Sequence, residues 1–197
     1  MVAEAADTAR TTSRTWLLPL GRAIVAAVAG CTVTFSPDHS PALGLAVFAG
    51  FALLTGALSL LLALRVLSGP GRTPALVSAG VTLLAGVLAL VALPVPSLML
   101  FIALVSGWGL VAGTFELVSG RRRSGLAARD SVVVGAGTLL LGAVFALLPP
   151  HPVVSVGLLG AYAVMVAVYL GIAAFSLKWA GASDAVAPST PTTGGDR

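Results

Sequence analysis

Six stretches of roughly 20 apolar residues, almost bare of charge, constrain this chain more than any other feature. They run Trp16–Phe35, Ala42–Leu64, Ala75–Pro94, Leu98–Ser119, Ser131–Pro149 and Val153–Leu177. A helix rises 1.5 Å per residue, so about 20 residues cross a hydrocarbon layer of about 30 Å. Water is absent from that layer, and a helix satisfies every backbone donor and acceptor within its own segment. A β-barrel would show alternating rather than continuous apolar residues. The runs predict an all-α membrane protein with six transmembrane helices. Composition agrees: 9% of the 197 residues are charged and 57% are hydrophobic, with a mean hydropathy of +1.03. A soluble domain carries about 25% charged residues, so a soluble enzyme, a secreted disulfide scaffold and a nucleic-acid binder are set aside. The single Cys31 leaves no internal disulfide and no cysteine metal site.

The connections between runs are of two kinds. Ser36–Pro41, Pro94–Ser97 and Pro149–Pro152 are short proline turns without Lys or Arg. Proline ends a helix sharply, and such short loops force antiparallel neighbours. The sequence therefore predicts three helical hairpins, spanning 16–64, 75–119 and 131–177. The other two connections, Arg65–Pro74 and Gly120–Asp130, hold six arginines. By the positive-inside rule these loops and both termini face the cytoplasm, and an even number of spans agrees. Residues 1–15 and 179–197 are polar tails with the composition of disordered segments. The Arg-, Ala- and Gly-rich bias suggests a GC-rich bacterial source, and hence the inner membrane. Val28-Ala29-Gly30-Cys31 also matches a lipoprotein cleavage box. Arg22 would then break the signal's apolar core and cleavage would leave an unpaired span, so the intact first helix is preferred.

Glycines recur. Gly30, Gly86 and Gly142 are 56 residues apart, and Gly56, Gly113 and Gly171 are 57 and 58 apart. Gly50–Gly56 also lies over Gly107–Gly113. This spacing suggests three copies of one two-helix hairpin, parallel repeats about an axis along the membrane normal. Together with the opening Trp16-Leu17-Leu18-Pro19-Leu20-Gly21-Arg22 and the Gly120-Arg121 edge, the pattern resembles the HdeD-like acid-resistance membrane proteins over about Trp16 to Lys178. Gly21-Arg22-Ala23 stands where that family commonly reads Arg-Gly. The resemblance implies a six-span inner-membrane protein associated with acid stress and supplies no reaction.

Charge inside a span is expensive and is usually paired or turned inward. Arg22 and Glu116 both fall one to two turns inside the same end of the predicted bundle. One reading makes them an interhelical ion pair. Another lets Arg22 snorkel to headgroups while Glu116 meets the arginine loop, and a third gives Glu116 a proton-handling role. Arg121, Arg122, Arg123 and Arg129 are candidate contacts for anionic headgroups. His39 and His151, in the proline turns, are candidate external pH sensors, with ordinary turn polarity as the simpler reading. Nothing resembles a nucleophile with its base, paired catalytic carboxylates, a phosphate loop or a metal cluster. The expectation is a non-enzymatic membrane protein without cofactor or metal, whose partners are the bilayer and, through its many glycines, a second copy or another membrane protein. A small transporter or channel for protons or a small solute is the alternative.

Overall fold

The computed structural model describes residues 16–186, and all its regular elements are helical. The tails expected to be disordered lie largely outside the described residues. Six long helices follow in order: α1 (Leu17–Phe35), α2 (Pro41–Arg65), α3 (Arg72–Ala92), α4 (Leu98–Arg121), α5 (Leu126–Leu147) and α6 (Pro152–Val186). A 3₁₀ turn at Gly69–Gly71 leads into α3. Among the described residues six helices are long and apolar enough to cross a membrane. The chain is a multi-pass membrane protein.

Several boundaries differ from the sequence reading. α5 begins five residues before the expected Ser131, because Gly125, at φ 95°, takes the left-handed turn and nothing after it breaks a helix. α6 runs to Val186, so the tail expected from 179 onward begins as helix. Proline is absent from 153–187, and the Ala-rich stretch after Trp179 has good helix propensity. The start of α2 is fixed locally. Pro41 occupies its first turn, and the Ser40 hydroxyl accepts from the Leu43 N–H at 3.3 Å. Asp38 in turn accepts from the backbone and hydroxyl of Ser40.

The helices form a closed bundle whose tightest seams are α2–α3, α4–α5 and α1–α6. These are not the hairpins joined by proline turns. They are the pairs joined by the arginine-rich loops, plus the pair that brings first and last helices together. Lys178 Nζ lies 5.1 Å from the Trp16 ring centroid, so the start of α1 and the far part of α6 share one end. Both arginine-rich loops lie at that end too. The seams are close because small residues line them. A Cβ added at Gly113 would stand 2.5 Å from the Leu139 amide nitrogen, and one at Gly142 would stand 2.6 Å from that of Leu110. Gly56 and Gly86 face Leu83 and Leu53 across α2–α3 in the same manner, and Gly30 and Gly160 face Val164 and Val33 across α1–α6. With lipid as the solvent, such backbone approach replaces the hydrophobic effect as the source of helix association. Gly171, expected as the third member of its series, has no neighbour among the described residues where a Cβ would stand.

Candidate functional site

Near the middle of the bundle, three aromatic rings from three helices meet edge to face. Trp108 on α4 lies 5.9 Å from Phe51 on α2 and 6.2 Å from Tyr162 on α6, and Phe51 lies 6.4 Å from Tyr162. Phe48 adds a fourth ring 5.3 Å from Trp108. Edge-to-face contacts align each ring's positive edge with its neighbour's negative face. All four side chains are buried, so the layer fills the bundle's axis.

The polar atoms of this layer are satisfied by a repeated device. Thr82 donates to the Ser78 carbonyl one turn back at 2.8 Å and accepts from Trp108 Nε1 at 3.0 Å. Thr138 likewise donates to the Val134 carbonyl at 2.8 Å. Its proton is thereby used, so the Tyr162 hydroxyl is the donor in the bond between them. Thr82 and Thr138 are 56 residues apart, and the residue 56 before Thr82 is Ala26. Ala26 is fully buried, and the ring that α2 contributes to the layer, Phe51, has no polar hydrogen to place.

On the arginine-loop side of the rings lies a small polar chamber. Thr55, Ser78, Thr82, Arg22 and Glu116 line it, and its volume of about 20 Å³ is room for a single water molecule. Arg22 Nη2 on α1 donates to Glu116 Oε1 on α4 at 2.9 Å, with side chains 14% and 16% exposed. The two charges that stood out in the sequence therefore meet. Their opposite signs offset part of the cost of removing each from water. Two chamber atoms, Arg22 Nε and Thr55 Oγ1, are buried without a hydrogen-bond partner among the described residues, and a water in the chamber is the chemistry that would satisfy them.

Arg123, in the loop after α4, turns inward. Its Nε donates to the Ser119 carbonyl at 3.1 Å and its Nη2 to the Ser131 hydroxyl at 2.7 Å. Its stem packs over Gly71, where a Cβ would stand 2.5 Å from Arg123 Cγ. The Ser119 hydroxyl donates to the Gly71 carbonyl at 2.8 Å. Together these contacts bind the two arginine-rich loops to each other. Burial lowers the pKa of Arg123 and the charge of Glu116 raises it, with burial the stronger effect. Of the four arginines expected at headgroups, Arg121, Arg122 and Arg129 are exposed, whereas Arg123 is partly spent on this internal clasp. His39 and His151 sit at the opposite, proline-turn end, partly buried and exposed respectively. Among the described residues no group of His, Cys, Asp and Glu is arranged to hold a metal.

Sequence reasoning missed Asp130, whose Oδ1 accepts from the Tyr169 hydroxyl at 3.0 Å between α5 and α6. Its position in an arginine-rich segment hid it. In the sequence Tyr162 and Trp108 carry no signal beyond that of core aromatics, and Thr82 and Thr138 none beyond that of isolated hydroxyls in apolar runs. Compared with known proteins, the chain matches no family model, no curated protein and no solved structure.

Proposed function

We propose that this chain is a non-enzymatic, stress-protective protein of the bacterial inner membrane, of HdeD-like type, with its arginine-rich loops and both termini in the cytoplasm. The observation that carries the reading is the Arg22–Glu116 pair under the aromatic layer. The two charges neutralise each other and tie α1 to α4, and the rings above them fill the axis. Such a centre holds helices together. The orientation rests on the clustering of arginine at one end. The reading also takes the bundle as three copies of a two-helix unit. The shared Thr–aromatic device of Thr82–Trp108 and Thr138–Tyr162, with Ala26 in register with the two threonines, supports this.

A second reading, a carrier for protons or a small solute, draws on one observation. A cavity of about 240 Å³ at the arginine-loop end has Arg22 among its walls, which gives the buried pair a route toward that end. Two measurements separate the readings. A deletion strain should lose survival at low pH and recover with the wild-type gene, and Arg22→Ala should restore it less. Proteoliposomes holding the protein should show no proton or solute flux. Flux that Glu116→Gln abolishes in a folded protein would establish the carrier, and a deletion strain with normal acid survival would end the stress-protective reading.

A further inference from the structure

α5 and α6 are the least closely packed of the helix pairs that follow one another in sequence. Two spaces flank their gap at the arginine-loop end. One, of about 300 Å³, is bounded by α5 and α6 alone and includes Ile172, which is 63% exposed on the bundle's outer face. The other, of about 240 Å³, lies inward and reaches α1 and α2, with Arg22 and Arg123 among its walls. Asp130 and Leu177 line both. The hydrogen bond from Tyr169 to Asp130 therefore crosses the gap where the two spaces adjoin.

The geometry points to a lateral portal between α5 and α6 that admits an anionic phospholipid from the leaflet at the arginine-loop end. Both spaces are walled mainly by aliphatic side chains, which suit an acyl chain and offer a free inorganic anion little. Charge around the portal favours an anionic headgroup. Arg22, Arg123 and Arg129 outnumber Glu116 and Asp130, and Arg121 and Arg122 stand exposed at the same end. Asp130 faces the same region, and its negative charge is engaged by Tyr169. The headgroup settles near Arg129 and Arg123, and the acyl chain enters past Leu177 toward Leu170. Tyr169 and Asp130 act as a latch that parts when the chain enters.

Native mass spectrometry of the full chain in mild detergent, offered equal phosphatidylglycerol and phosphatidylcholine, tests this. Phosphatidylglycerol should be retained about fivefold more, the preference expected from one effective interfacial arginine. Leu177→Trp, placed where the two spaces meet, should remove that preference, as should Ala127→Leu if the first variant folds poorly. Val91→Trp, on the exposed face of α3, should keep it. Tyr169→Phe should speed lipid exchange several-fold. Equal retention of the two lipids overturns the proposal, and so does an unchanged preference in folded Leu177→Trp. Displacement of phosphatidylglycerol by millimolar inorganic phosphate would also overturn it, in favour of a free-anion site.

Discussion

At the scale of single residues, the core is organised by where polar hydrogens are placed. Threonine inside a span usually bonds its own backbone one turn back. Thr82 and Thr138 do so and then use a lone pair to receive Trp108 and Tyr162. The two sides of each contact are unequal. Tyr162→Phe removes a donor and leaves Thr138 still bonded to its backbone, so about 1 kcal/mol should be lost. Thr138→Val leaves the Tyr162 hydroxyl buried without an acceptor and should cost about 1–3 kcal/mol. Thermal or denaturant unfolding in detergent checks the order, and equal losses would show that the hydroxyl finds another partner. Arg22 and Glu116 were conspicuous in the sequence because charge is rare in apolar runs. The threonine–aromatic pairs were not, since both residue types are common in such helices and their meeting depends on which seams are tight.

At the scale of elements, the number and approximate extent of the helices were legible, because the lipid layer imposes length and apolarity on every span. Which helices pack most closely was not. Short proline turns make α1–α2, α3–α4 and α5–α6 antiparallel neighbours, yet the glycines place the tight seams elsewhere. Loop length sets adjacency, whereas side-chain volume sets distance. Gly113 and Gly142 meet α5 and α4 backbone respectively, so no rotamer change relieves an added methyl. Gly113→Ala and Gly142→Ala should each lower stability by about 2 kcal/mol or more, as overpacking against a fixed neighbour does. Gly107, on α4 but with open space at its Cβ position, should tolerate alanine and gain up to about 1 kcal/mol from helix propensity. Thermal shifts of the three variants would check this, and alanine tolerated equally at all three would mean that the α4–α5 seam is loose.

At the scale of the whole molecule, aromatic rings, a neutralised ion pair and a clasp between loops lie in succession from the middle of the bundle toward its arginine-rich end. The ion pair joins α1 to α4, two helices that do not share a tight seam. It therefore links parts of the ring that backbone approach leaves unjoined, and Arg123 does the same for the two loops. Arg22 and Glu116 thus stabilise the bundle as a unit. A double-mutant cycle with Arg22→Met, Glu116→Gln and the combined variant, unfolded in the same detergent, measures this directly. Each single change leaves an uncompensated buried charge and should cost about 3–5 kcal/mol, while the combined variant should be more stable than either. Losses that simply add would contradict a paired centre.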